Sequence, residues 1–266
     1  MKKRIIKGLI LLVAAGLLVA STIMGTLAYL TSSSTVSNTF TVGNVGIQMF
    51  EHPVDANGKI LSGSTLSSDG NSYHLQPGGE YDKDPTIIVD SASDESYLFV
   101  KIRNDLRNVE ANNGVTMHNG SSTYLSLSEQ VAANGWYFIG RTSNANVYVY
   151  KDFVGKNNTD CDIEIFNNFK IDTNADLSTH GASIVTLFGF AIQTTGFKPA
   201  DDSTGIETTI VDGKAVPTAE ALAAARNAWG AIGSVYTMQD THLTNTTTPF
   251  KKGDNNYGTT TGGSNT

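Results

Sequence analysis

The sequence predicts an all-β fold, a β-sandwich with one or two short surface helices. Apolar residues recur at every second position in several short segments. Turn chemistry separates those segments, and one stretch alone has the composition of a sustained helix. The chain has 266 residues, enough to bury one substantial core as a single all-β domain. Cys161 is the single cysteine, so no disulfide within the chain can staple the fold. A lone cysteine of this kind reads as a small buried apolar residue, the alternative being a bond between two chains.

Residues 29–50 open the pattern. Val36, Phe40 and Val42 fall on one face of an extended strand, with Thr35, Ser37, Thr39 and Thr41 on the other; Gly43-Asn44 breaks the register before Val45, Ile47 and Met49 resume it. Residues 52–72 read as a loop, with Asp55-Ala56-Asn57-Gly58 as turn chemistry, and Pro77-Gly78-Gly79 is a second turn. Strands follow at Thr86–Asp90 and Ser96–Asn104, the latter placing Leu98, Val100 and Ile102 on one face and Tyr97, Phe99, Lys101 and Arg103 on the other. A short helix fits between Leu125 and Asn134. Further strands fit Gly135–Gly140, Asn146–Phe153 and Asp162–Ile171. Ile184–Gln193 is apolar almost throughout, the mark of a central strand covered on both faces. The sustained helix begins at Thr218, which caps it, runs through Ala221-Leu222-Ala223-Ala224-Ala225-Arg226 and ends near Gly230.

The ends of the chain indicate where it works. Lys2, Lys3, Arg4 and Lys7 precede an apolar run from Gly8 to Met24, and Thr26 and Ala28 occupy the −3 and −1 places of a cut between Ala28 and Tyr29. Left uncut, that run is long enough to cross a bilayer, about 17–25 residues, and would tether a monomeric surface module. The Thr-Leu-Ala step before a Ser/Thr-rich stretch favours cleavage. The expected organisation is a signal peptide at 1–28, a sandwich domain at 29–243 and a polar, disordered tail at 244–266 without a Leu-Pro-x-Thr-Gly sorting signal. The expected location is therefore secreted, extracellular or cell-surface associated. Removing 1–28 takes away four basic residues and no acidic one, moving the formal charge from −7 to −11. A domain this acidic is a poor partner for nucleic acid or anionic lipid.

Several segments together resemble the TasA/camelysin family. They are Thr26-Leu27-Ala28-Tyr29-Leu30-Thr31 followed by Asn38-Thr39-Phe40-Thr41-Val42-Gly43-Asn44-Val45; Leu75-Gln76-Pro77-Gly78 with Tyr81-Asp82-Lys83-Asp84-Pro85 and Ser96–Ile102; and Phe190-Ala191-Ile192-Gln193 with Gly196-Phe197 and Ala228-Trp229. The likeness covers most of residues 24–230. It departs from the family at Gly155–Thr159, where a Pro-Gly turn is usual, and in the insertion Lys198–Pro217. The resemblance implies a jelly-roll-like β-sandwich exported by Gram-positive bacteria, its signal removed by a dedicated signal peptidase. It implies extracellular biofilm fibres built when each subunit donates an N-terminal strand to the next, with an accessory matrix protein as a further partner. On that reading residues 29–42 are the donor strand. Val36, Phe40 and Val42 are the side chains inserted into a neighbour, and the main partner is a second copy joined head to tail. The alternative is pairing of this strand within its own sandwich.

The same family includes proteins classed as zinc metallopeptidases. Zinc hydrolysis needs about three protein ligands and an open position. This chain has His52, His74, His118, His180 and His242, of which the closest two in sequence, His52 and His74, are 22 positions apart, and it lacks His-Glu-x-x-His. It also lacks a Gly-x-Ser-x-Gly elbow, and Cys161 lies between Asp160 and Asp162, which disfavours its thiolate. Asp172-Thr173-Asn174-Ala175-Asp176 has the oxygen spacing that opens a calcium loop but not the Gly or distal Glu of an EF-hand. Asp90–Glu95 reads as a solvated loop. No catalytic residue, metal ligand or cofactor is assigned, and the expectation is a structural protein rather than an enzyme, with a camelysin-like secreted metallopeptidase as the alternative.

Overall fold

A computed structural model describes residues 31–33, 36–42, 45–117, 123–155, 162–178, 180, 185–199, 203–236, 243, 248–250 and 252, with the backbone alone for 31–42 and 233–236. The expected signal peptide with its Ala28–Tyr29 cut, Cys161, and most of the expected tail lie outside the described residues.

Among the described residues, the architecture is an all-β sandwich-like fold with two helices. Its largest layer has five strands: β2 (Val36–Val42), β7 (Ser96–Asn104), β8 (Trp136–Arg141), β9 (Asn146–Tyr150) and β12 (Val185–Gln193), in the order β2-β12-β7-β9-β8. Strand β12 pairs antiparallel with β7 along its whole length, from Val185 opposite Asn104 to Gln193 opposite Ser96. The opposing layer is built from shorter pieces. β3 (Ile47–Phe50), β6 (Thr86–Val89) and β10 (Asp162–Glu164) form one sheet, β5 (Glu80–Asp82) pairs with β11 (Asn168–Lys170), and β1 (Thr31–Ser33) pairs with β4 (Ser72–His74). A separate hairpin joins β13 (Thr208–Val211) to β14 (Lys214–Pro217).

Alternation in the central strands explains the two cores. Leu98, Val100 and Ile102 of β7, with Val185, Leu187 and Ala191 of β12, are buried against the short-stranded layer. Tyr97 and Phe99, with Phe190 and Ile192, are buried on the other face. That second face is covered by helix α2 (Ala219–Tyr236), whose Ala221, Ala225, Ala228, Trp229 and Ile232 form one buried helical stripe. Thr218 caps this helix as expected, its Oγ1 accepting the Ala221 N–H at 3.1 Å. The helix runs past Gly230 to Tyr236. The short helix α1 (Leu127–Ala133) lies where turn and helix signals placed it, and the Ser126 N–H donates to the Glu129 carboxylate at 3.0 Å in a capping box.

Two differences from the sequence reading have physical causes. The stretch 162–171 is two strands, β10 and β11, because Ile165 and Phe166 are consecutive and both fully buried, a pattern that one straight strand with alternating faces cannot provide. The insertion holds the hairpin β13–β14, turned by Asp212 at φ 50° and Gly213 at φ 76°. The Asn57-Gly58 turn lies where expected. Gly58, at φ 72°, lies beneath Tyr81, where a Cβ would come within 2.5 Å of the ring.

Candidate functional site

Three places in the molecule hold unusual arrangements, and the first is the edge formed by the N-terminal segment. Strand β2 is the edge strand of the large sheet and runs parallel to β12, with Val36 opposite Leu187, Phe40 opposite Phe190 and Val42 opposite Ile192. An irregularity lies between Ser37 and Phe40, so Val36 stands opposite a residue of the inner core, Leu187, whereas Phe40 and Val42 stand opposite residues of the core beneath α2, Phe190 and Ile192. A few residues earlier, β1 pairs with β4 in the opposing layer, Thr31 opposite His74 and Ser33 opposite Ser72. One short N-terminal segment thus completes an edge in both layers.

The second place is a buried knot of charge where β3 ends and β6 begins. Glu51 and His52 follow β3, and Lys83 and Asp84 precede β6; the antiparallel pairing of these strands brings the two dipeptides together. Lys83 Nζ lies 2.5 Å from Glu51 Oε2, both side chains being 0% exposed. Burial pushes the Lys83 ammonium below its ordinary pKa, against the pull of the Glu51 carboxylate. The second Glu51 oxygen accepts the Asn71 N–H at 2.8 Å. His52 Nδ1 lies 2.6 Å from Asp84 Oδ2, and the His52 backbone N–H donates to Asp84 Oδ1 at 2.9 Å. The Tyr73 hydroxyl donates to the Asp82 carbonyl, and burial drives its pKa up. Among the described residues, the His52 ring hydrogen-bonds to Asp84, and the backbone bonds to Asp84 and Glu51 tie the two strand ends together as a clamp. Among the described residues, no group of three or more His, Cys, Asp and Glu side chains is placed to hold a metal ion. His118 and His242 lie outside those residues.

The third place is a cleft of about 580 Å³ between α1, β7 and β9. Glu110 lies in its wall. Its carboxylate accepts the Tyr124 hydroxyl and, at 2.7 Å, the Leu127 N–H. Burial raises the Glu110 pKa to about 7, although these two donors pull it down. The cleft is capped by residues from the C-terminal stretch. The Phe250 ring lies 4.3 Å from the Arg141 guanidinium carbon and 5.2 Å from that of Arg107. Its backbone N–H donates to Asn146 Oδ1 at 3.0 Å. Lys252 Nζ donates to the Glu110 carbonyl at 2.8 Å and pairs with Asp172 Oδ2 at 3.1 Å.

That ion pair bears on the calcium-like spacing. Asp172 Oδ1 accepts the Asn174 N–H and Asp176 Oδ1 accepts the Ser178 N–H, so both carboxylates close their own turns, and the cation at Asp172 is Lys252. Asp90 closes its loop in the same way on Ala92. The contacts of Phe250 and Lys252 carried no periodic signal in the sequence. The usable hint was an aromatic beside two lysines, Pro249-Phe250-Lys251-Lys252, inside a Thr- and Gly-rich stretch.

No family model, no curated protein and no solved structure matches this chain. Among the described residues, no helix is long and apolar enough to cross a membrane.

Proposed function

We propose that this chain is a secreted structural protein of an extracellular matrix, whose subunits join head to tail when residues 29–42 of one copy pair with the sheets of the next. The observation that carries the reading is the placement of the N-terminal segment. It forms β1 on the edge of one layer and β2 on the edge of the other, and β2 lies beside a strand about 150 residues later in the chain. A complement of this kind is separable. Without it, β4 and β12 expose unpaired backbone donors and acceptors, a template that any copy of the same segment satisfies equally well. Donation to a neighbour is heterologous and does not close, so repetition yields a filament. Val36, Phe40 and Val42 are the assembly residues on this reading. The export signal and the resemblance to the TasA/camelysin family support the same conclusion.

The test is electron microscopy of residues 29–266 beside residues 43–266, with a synthetic peptide of residues 29–42 added back to the shorter chain. The expected result is filaments from the longer chain, none from the shorter one, and saturable binding of the peptide that restores the circular-dichroism signal of any structure lost. Filaments from both chains, or a shorter chain indifferent to the peptide, would overturn strand donation.

A further inference from the structure

We infer that the cleft between α1, β7 and β9 is a binding site for the C-terminal Pro249–Lys252 segment, and that a second copy of the chain can supply that segment. The site is independent of strand donation, since β12 separates β7 and β9 from the β2 edge. Recognition is specific to side chains at both ends of the segment. Phe250 lies against the Arg141 and Arg107 guanidiniums, which attract the negative face of its ring. Lys252 reaches past the cleft rim to the Glu110 carbonyl and the Asp172 carboxylate. Between them, Asn146 reads the backbone. Its Oδ1 accepts the Phe250 N–H while its Nδ2 donates to the Tyr148 hydroxyl at 3.2 Å, which fixes the amide orientation. The aromatic residue and the lysine two positions later are therefore each met by a group built on a strand or its flanking turn.

Two features point to a second copy as a source of this segment. The first is charge. The chain carries a formal −7, yet the segment holds Lys251 and Lys252 side by side, and the cleft side presents Asp172. Copies that repel overall are attracted at this contact. The second is reach. Leu243 packs on Gly140 of β8, within 3.2 Å of where a Cβ would stand. The seven residues from there to Phe250 span at most about 25 Å when extended, so the segment can enter the cleft of any copy that lies within that distance of Leu243. Exchange of an identical element between copies preserves every contact and costs little.

The test uses the full chain carrying Phe250→Ala, which takes the ring off its two guanidiniums and leaves Arg107, Arg141 and Asn146 unaltered, and a fluorescein-labelled peptide of residues 245–255. The peptide is expected to bind this variant saturably, and at least tenfold more weakly to the unaltered chain, where the tethered segment competes. A peptide carrying Phe250→Ala should not bind. Lys252→Glu in the full chain serves as a second vacated acceptor, so that misfolding of one variant does not decide the result. Exchange between copies is read by energy transfer between labelled Phe250→Ala chain, an intact cleft without its plug, and labelled Arg141→Glu chain, a plug without its cleft. Transfer in that mixture and not in either variant alone is expected. Failure of the peptide to bind either acceptor overturns the site. Peptide binding without energy transfer confines the segment to its own copy and overturns the exchange. Neither outcome depends on filament formation.

Discussion

The two faces of the five-stranded sheet are packed by different physics. The face beneath α2 is closed by aromatic and aliphatic groups. Trp229 meets Phe99 and Phe190 edge-on, with ring centroids 5.7 and 5.2 Å apart, and small alanines let the helix approach. No buried charged side chain among the described residues comes from that helix or from the strand positions facing it. The opposite face meets a layer of three- and four-residue strands joined by loops, and there the interior holds Glu51, Lys83, Glu110 and Lys170. Short strands leave many backbone groups without ladder partners, and loops that must be buried bring polar groups inward to satisfy them. Lys170 follows the same rule, reaching Glu80 at 2.5 Å across the β5–β11 pair. One face is held by apolar area alone, which tolerates solvent conditions, and the other by an apolar core with matched charges set into it, which do not.

The largest effect expected from this contrast is at the clamp. Lys83→Met leaves the Glu51 carboxylate buried without its cation, which costs about 3–5 kcal/mol in urea unfolding. Adding Glu51→Leu removes the lone charge and recovers part of that loss. Recovery stays incomplete because the Asn71 N–H loses its acceptor, a cost of about 1–3 kcal/mol. A Lys83→Met chain within 1 kcal/mol of the parent would mean that the pair is solvated and that the two faces are alike.

On the α2 face the corresponding change is Trp229→Phe. It removes part of a fully buried ring and leaves a small apolar void, with an expected loss of roughly 1–3 kcal/mol. No charge is exposed or orphaned, so the loss should be the same at pH 5 and pH 8 and at low and high salt. A marked salt dependence of the Trp229→Phe difference would break the division between the faces.

The long strands and α2 were the legible part, on both faces of the sheet. The alternation in Ser96–Asn104 assigned Leu98, Val100 and Ile102 to one side, and those residues share the core beneath the short-stranded layer. The apolar run Ile184–Gln193 predicted a strand covered on both faces, and β12 is one. Thr218 and the alanine run announced α2. Periodicity reports burial along a regular element, and these elements are regular. The buried charges of the short-stranded layer were not legible. Glu51 and Lys83 lie 32 positions apart, each in a gap between the segments read as strand, loop or turn, and nothing local marks either as buried. The hairpin at 208–217 left a readable sign, Asp212-Gly213 between two β-prone stretches, but its Ile210, 72% exposed, faces no core that periodicity could detect. The parallel pairing of β2 with β12 depends on contacts between distant parts of the chain, for which one sequence holds no record.

Glu110 sharpens the contrast further, because it makes the charged face respond to pH in a direction opposite to an ordinary salt-bridged carboxylate. Its carboxyl has an ordinary pKa of 4.5 when solvated and about 7 when folded. Between those values the folded chain holds a proton that the unfolded chain has released. Raising the pH therefore favours the unfolded chain, and the stabilising contribution of the protonated group, complete below the lower value, is lost as pH rises through the upper one. From pH 6 to pH 7 the expected fall in stability is about 1 kcal/mol, measured by urea unfolding at each pH. Glu110→Gln keeps an acceptor for the Leu127 N–H and the Tyr124 hydroxyl but does not titrate, so this component of the slope should vanish. Trp229→Phe should retain the parental slope, since the residue it alters lies across the sheet from every buried carboxylate. If Glu110→Gln and the parent show the same dependence, Glu110 is ionised in the folded chain throughout this range, and its burial is matched by its two donors rather than by a proton.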